Sequence, residues 1–207
     1  WKSDGTKAGT IQLRQIDPWY SSSVFSTERY YFEISNNILY FSAINYANAK
    51  GTQLWRTDGT VHGTYSVKAI SPDADSYYPI PFYFTDVNGI LFFITNNAGI
   101  YGTELWKSDG TEAGTQLVKD VTSATDASGL NNLTAFGGKL YFTKSGALWS
   151  SNGTADGTMP VDDAGISDVY IYNIVAANDK LFLSGSTQQY GIELYAGRPD
   201  ATGRFVA

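Results

Sequence analysis

Leu105-Trp106-Lys107-Ser108-Asp109-Gly110-Thr111-Glu112-Ala113-Gly114-Thr115 is the stretch that decides the fold, because the chain repeats it. The same pattern opens the sequence from Trp1 to Thr10, returns from Leu54 to Thr64, and returns more loosely from Leu148 to Thr158. A decayed fifth copy runs from Leu194 to Gly203. Four of the five tryptophans hold one place in this pattern, and Tyr195 takes that place in the last copy. Successive places are 54, 51, 43 and 46 residues apart. A period of this size is the mark of a solenoid, propeller or array, and it governs how every other residue is read.

Working outward from the repeat, each unit reads as four short strands. In the second unit Phe82 to Val87 forms one strand, and Asn88-Gly89 supplies a two-residue hairpin turn. Ile90 to Thr95 is the return strand, Glu104 to Lys107 the third, and Gln116 to Val121 the fourth, entered through Ser108-Asp109-Gly110-Thr111. The first unit pairs Tyr30 to Ile34 with Ile38 to Ala43, and Gln53 to Arg56 with Tyr65 to Ile70. The third pairs Leu133 to Phe136 with Lys139 to Thr143, and Ala147 to Ser150 with Met159 to Asp162. The fourth pairs Ile174 to Ala177 with Lys180 to Leu183, and Ile192 to Ala196 with Arg204 to Ala207. The second strands are continuously apolar (Leu39-Tyr40-Phe41, Leu91-Phe92-Phe93, Leu140-Tyr141-Phe142, Leu181-Phe182-Leu183), which requires cover on both faces. A four-stranded meander covered on both faces is a β-propeller blade, and such blades are stable only when stacked.

The expected fold is therefore all-β: a β-propeller, or a segment of one, built of four-stranded antiparallel blades. About four complete blades, over residues 30–70, 82–121, 133–162 and 174–207, follow the outer C–D hairpin of a preceding blade at 1–17. The first two strands of that preceding blade are missing, so residues 1–207 read as a single repeat domain that is a fragment of a longer chain. The alternative is a four-bladed ring with the N-terminal hairpin as an appendage.

Composition narrows the function. With a net charge of −6, a pI near 4.6 and no basic run, the chain lacks the clustered Lys and Arg that phosphate backbones demand, so nucleic acid is not an expected partner. No apolar run approaches the ~20 residues of a membrane-spanning helix. There is no Cys, hence no disulfide, thiolate nucleophile or zinc–thiolate site.

The signature Glu104-Leu105-Trp106-Lys107-Ser108-Asp109-Gly110-Thr111, followed by Gly114-Thr115, resembles the bacterial ELWxxDGT repeat family. The match is close at Trp1, Trp55 and Trp106, looser at Trp149, where Asn152 replaces Asp, and poor at Tyr195. The resemblance implies tandem repeats of a secreted or cell-surface bacterial protein, a non-catalytic structural or adhesive role, and no enzymatic activity to carry over.

The repeated residues also have a purely structural account. Asp4, Asp58 and Asp109 suit a turn in which the carboxylate accepts backbone N–H bonds, and Gly59 and Gly110 suit positive φ. Holding a cation would need six or more converging oxygens, and the motif supplies few. Trp55, Trp106 and Trp149 read as packing between adjacent blades. The Asp73-Ala74-Asp75-Ser76 loop lacks the Gly and Glu of a calcium-binding loop and reads as a solvated acidic stretch. The lone histidine, His62, stands where other copies carry Ala8, Ala113 and Asp156, which suits a turn residue rather than a base. No Gly-x-Ser-x-Gly elbow occurs, so neither an enzyme nor a cofactor is expected.

Function in propellers concentrates on one loop face. Here the variable loops carry Trp19 and Tyr20, Tyr46, Tyr77 and Tyr78, Tyr101, and Tyr190 beside Gln188 and Gln189. Exposed aromatic rings beside amides suit a protein partner or sugar stacking. The expected function is an extracellular repeat scaffold for surface structure, adhesion or protein contact, as part of a larger surface assembly. A glycan-binding propeller is the alternative, and a glycoside hydrolase-type propeller the third reading.

Overall fold

The computed structural model describes residues 1–16, 32–44, 52–70, 80–97, 102–122, 129–161, 165–200 and 204–206. Sixteen strands and no helix occur among them. Blade 1 comprises β1 (Phe32–Ser35), β2 (Ile38–Ile44), β3 (Thr52–Thr57) and β4 (Tyr65–Ala69). Blade 2 comprises β5 (Ile80–Val87), β6 (Ile90–Asn97), β7 (Gly102–Ser108) and β8 (Gln116–Asp120). Blade 3 is β9 (Leu130–Phe136), β10 (Lys139–Lys144), β11 (Ala147–Ser151) and β12 (Met159–Pro160). Blade 4 is β13 (Tyr170–Ala177), β14 (Lys180–Ser186), β15 (Ile192–Pro199) and β16 (Phe205–Val206). Each blade is one antiparallel sheet with its strands in sequence order. This is a β-propeller segment.

The first strands neighbour one another in succession, β1 beside β5, β5 beside β9 and β9 beside β13, so they line the propeller axis. Their return turns obey the expected chemistry. Asn36 and Asn37 have φ of 49° and 64°, Asn88 and Gly89 53° and 84°, Gly137 and Gly138 56° and 77°. Positive φ at both central residues matches the twist of the flanking strands. Asn36 also donates its side-chain amide to the Gly89 carbonyl of the next blade, at 2.9 Å.

β5 begins at Ile80, two residues before the Phe82 that the sequence pattern indicates, and two inner strands begin earlier still: β9 at Leu130 rather than Leu133 and β13 at Tyr170 rather than Ile174. Both carry a register shift, between Asn131 and Thr134 and between Ile171 and Asn173. A bulge inserts a residue and reverses the in–out alternation upstream of it, which hides the start of the strand from a period-two reading. Blade 2 has the same irregularity between Phe82 and Thr85, and its Tyr83 has φ of 54°. Blade 3's outer strand covers Met159–Pro160, and the expected end at Asp162 lies outside the described residues. Beyond Pro160, Val161 still donates its N–H to the Leu148 carbonyl of β11 at 2.9 Å.

The core lies between blades, not within them. One cluster joins Tyr40 and Leu54 of blade 1 to Phe84, Leu91 and Phe93 of blade 2, with Trp106 against it. A second joins Phe92 and Leu105 of blade 2 to Leu140 and Phe142 of blade 3, with Trp149 against it. A third joins Tyr141 and Leu148 of blade 3 to Leu181 and Leu183 of blade 4, with Tyr195 against it. The N-terminal hairpin, closed by the Lys2–Ile11 bridge, sends Ile16 against Phe41 and Trp55 of blade 1.

Candidate functional site

The repeated turn comes first, since it holds most of the recurrent polar residues. Asp109 Oδ1 accepts from the backbone N–H of Thr111 at 2.9 Å and from its hydroxyl at 2.7 Å. Thr111 Oγ1 accepts from the Gly114 N–H at 2.9 Å. Ser108 Oγ accepts from the Gly110 N–H at 3.0 Å and lies 2.7 Å from Thr115 Oγ1, which donates to the Thr111 carbonyl at 2.7 Å. The turns at Asp4 and Asp58 repeat these bonds, and Asn152 makes the same pair to Thr154 through its amide oxygen. The Thr hydroxyl, and then the backbone N–H, hold the carboxyls of Asp4, Asp58 and Asp109 below the ordinary aspartate range.

Two glycines of the motif have separate reasons. Gly59 and Gly110 adopt φ of 83° and 87°. A Cβ on Gly114 would stand 2.0 Å from Asp109 Oδ1, so that position is closed to any side chain. The rest of the signature joins blades. Trp106 donates its indole N–H to Glu104 at 3.1 Å, and Thr95 donates to the same carboxylate at 3.0 Å. Leu105 faces the following blade and Trp106 the preceding one. Lys107 donates to the Gly153 carbonyl of the next blade at 2.8 Å, as Arg56 does to Gly110 at 3.4 Å.

Lys68 and Lys119, which motif reasoning missed, make the same kind of contact. Lys68 donates to the carbonyls of Glu112 and Thr115, and Lys119 to those of Ala155 and Thr158. Their signal was in the repeat: each lies four residues beyond the closing Thr of its turn. Each ammonium satisfies carbonyls of the neighbouring blade's turn that no strand pairs.

The loop face supplies the candidate binding site. Trp19, Tyr20, Tyr46, Tyr77, Tyr78 and Tyr101 lie outside the described residues, as do Asp73 and Asp75. Tyr190, 60% exposed, lies with Gln188 and Gln189 on a groove of about 1050 Å³ between blades 3 and 4. The lining also includes Tyr170 and Tyr195 of blade 4, Ser145 and Gly146 of blade 3, and Asp168 between them in sequence. Both walls are held by the backbone. Thr187 Oγ1 accepts the N–H groups of Gln189 and Tyr190, at 3.3 and 3.0 Å. Ile171 donates its N–H to the Gly146 carbonyl at 2.8 Å, and the Tyr170 ring lies so close to Gly146 that a Cβ there would meet it at 2.4 Å. Tyr170, 54% exposed, was not singled out in sequence because it precedes the β13 bulge.

A second cavity, about 710 Å³, runs along the propeller axis and is lined by Glu33, Tyr83, Asn132, Thr134 and Asn173 among others. Burial, and to a lesser extent the neighbouring Asp86 charge, raise the Glu33 carboxyl above the ordinary glutamate range, against a bond from the Ile34 N–H that lowers it. Among the described residues no group of three or more His, Cys, Asp or Glu stands together as a metal-ligand set. No described helix is long and apolar enough to cross a membrane.

No family model matches the chain, and no curated protein does. Among solved structures, 19 chains match. A mutant puromycin hydrolase complexed with PGG superposes with a TM-score of 0.56 at 12% identity, over 85% of this chain and 28% of that one. An alpha-L-arabinofuranosidase from Clostridium thermocellum gives a TM-score of 0.39 at 13% identity, over 92% of this chain and 73% of that one. The chain thus spans little more than a quarter of the puromycin hydrolase. At this identity the likeness shows the propeller fold and nothing of the chemistry.

Proposed function

We propose that this chain is part of a non-catalytic, extracellular bacterial repeat scaffold that engages a protein partner through its loop face, at the groove between blades 3 and 4. The observation that carries the reading is the convergence of three tyrosines of blade 4, Tyr170, Tyr190 and Tyr195, on one groove closed from the side of blade 3 by Ser145, Gly146 and Ala147, with Gln188 and Gln189 beside them. Aromatic rings on a fixed backbone offer large contact area at small entropic cost, and amides supply adaptable hydrogen bonds. The non-catalytic part rests on where the carboxylates are spent: Asp4, Asp58 and Asp109 are engaged in turns, and Asp168 is the one acidic residue among those lining the groove. The extracellular part rests on the resemblance to the ELWxxDGT repeats.

Glycan binding is the second reading, favoured by the same pairing of tyrosines with amides. The test is capture of envelope proteins from bacterial cells, run beside a glycan array, with the wild-type chain and Tyr170→Ala and Tyr190→Ala variants. Protein capture lost in both variants supports the proposal. Array binding lost in both transfers the groove to the glycan reading, and capture unchanged in both removes the groove from the account.

A further inference from the structure

The junctions between blades are built on the same repeat positions, so one junction serves as a control for the next. Between blades 1 and 2 the turn end of the junction is filled by side chains. Tyr40 is buried, and a Cβ on Gly110 of the next turn would stand 2.4 Å from its hydroxyl and 2.9 Å from Arg56 Nη1. The Arg56 guanidinium in turn lies over the Tyr65 ring, 5.2 Å from its centroid. Between blades 2 and 3 the same places hold Phe92, Lys107 and Gln116. The hydroxyl, the guanidinium and the second ring are gone together. A Cβ on Gly153 would have the Phe92 ring as its nearest neighbour, at 3.3 Å, and a cavity of about 450 Å³ opens beside it. This cavity lies among the hairpin turns of blades 2 and 3, at the end of the meander opposite the Tyr190 groove.

Much of the polar capacity around the cavity is unspent. Asp109 and Lys107 are the charged residues of its lining, and their charges cancel. Asp109 commits Oδ1 to Thr111, and no described residue donates to Oδ2. Asn152 commits its amide oxygen to Thr154 and keeps its NH2 group. Gln116 does the reverse, donating its NH2 group to the Ala113 carbonyl at 2.8 Å and keeping its oxygen. Asn88, at φ of 53° in the β5–β6 turn, adds a further amide. Lys107 gives one N–H to the Gly153 carbonyl and has two more. Val87 and Ile90 supply an apolar wall. We propose that this cavity binds one uncharged hexose residue, free or at the end of a glycan. Sugar hydroxyls both donate and accept, which suits interleaved donors and acceptors of no net charge, and the C–H face of the ring suits the apolar wall. The site is independent of the loop-face groove and of the partner that engages there.

The test titrates the 15N-labelled chain with glucose, galactose and mannose in turn, following the side-chain amide resonances of Asn88 and Asn152. Saturable shifts in both amides are expected with at least one of these sugars. Methyl glycosides separate the sources: if they bind too, the ligand is a glycan end, and if the free sugars alone bind, it is a monosaccharide. Either result supports the site. Phe92→Tyr, Lys107→Arg and Gln116→Tyr, combined, give this junction the residues that already fill its neighbour. That variant is expected to keep the wild-type circular dichroism and to weaken binding by at least about tenfold. Should it fail to fold, Asp109→Asn is the second variant, since an amide keeps both turn bonds, as at Asn152, and replaces the free acceptor with a donor. It is expected to weaken binding by at least about tenfold as well. Tyr190→Ala, in the groove, is expected to leave binding unchanged. No saturable shift with any of the sugars, binding unchanged in the filled variant or in Asp109→Asn, or binding lost in Tyr190→Ala would each overturn the proposal.

Discussion

Trp106 and Phe93 oppose one another across β6 and β7, their ring centroids 6.2 Å apart and their planes 16° from parallel. The pair recurs as Trp55 on Phe41 and as Trp149 on Phe142, each also at 6.2 Å. In blade 4 the same register brings Leu183 opposite Tyr195. Each pair sits on the face its blade turns toward its predecessor. It both stabilises the sheet and fills the junction.

Phe93→Ala removes a fully buried ring from the blade 1–2 junction. The loss is expected to be about 3–5 kcal/mol, from lost transfer energy and the cavity left behind. Chemical denaturation of the whole chain measures it. A loss below about 1 kcal/mol would mean that the junction collapses around the gap.

Gly114→Ala places a methyl group on the carboxylate that Thr111 holds by two bonds, so Asp109 can retreat only by breaking them. A cost of about 1–3 kcal/mol is expected. Asp109→Ala removes the obstacle along with the bonds. The double variant should therefore be more stable than the sum of the two single losses predicts, by about 0.5–3 kcal/mol. Strict additivity would show that the two residues do not meet in solution.

Acid should weaken the turns. The Asp109 carboxyl is depressed in the folded state, chiefly by the Thr111 hydroxyl and then by its N–H. A depressed carboxyl contributes stability that is fully present above its unfolded value, near 3.8, and is lost as pH falls through the lower folded value. Asn152 shows that an amide accepts the same two bonds. Asp109→Asn is accordingly expected to keep the turn and to flatten this part of the acid limb, read as the urea midpoint at successive pH values. Glu33 acts in the opposite sense. Its raised carboxyl contributes a penalty that is absent at low pH and grows as pH rises through the unfolded value toward the folded one. Glu33→Gln should raise stability at neutral pH and not in acid.

Lys119→Met keeps the apolar stem and removes the ammonium that bonds to the Ala155 and Thr158 carbonyls. Hydrogen exchange should quicken in the turn from Asn152 to Thr158 while the matching turn from Asp109 to Thr115 keeps its protection. Equal change in both turns would contradict a latch specific to one junction.

The propeller class was legible in the sequence because the hairpin turn is a local device. Its bonds run between residues at most seven apart, so Ser108, Asp109, Gly110, Thr111, Gly114 and Thr115 report it wherever the chain repeats them. The continuously apolar second strands likewise announced cover on both faces, and Leu91 and Phe93 are 0% exposed. The inner strands were read short because the bulges in β9 and β13 break the alternation on which such a reading depends.

Sequence alone determined which residues recur, and hence the blade, its turns and its order along the chain. Which neighbour each recurrent side chain serves was settled by the tertiary structure. That Leu105 looks forward while Trp106 looks back follows from the alternation of a strand set between two blades. That Tyr170 and Tyr190 share a groove follows from the pairing of β13 with β14, Tyr170 opposite Ser186, which sets residues twenty apart side by side on the wall against which blade 3 stacks. Stacking is a property of packed faces, and a linear pattern does not encode the distance between two loops it has not yet brought together.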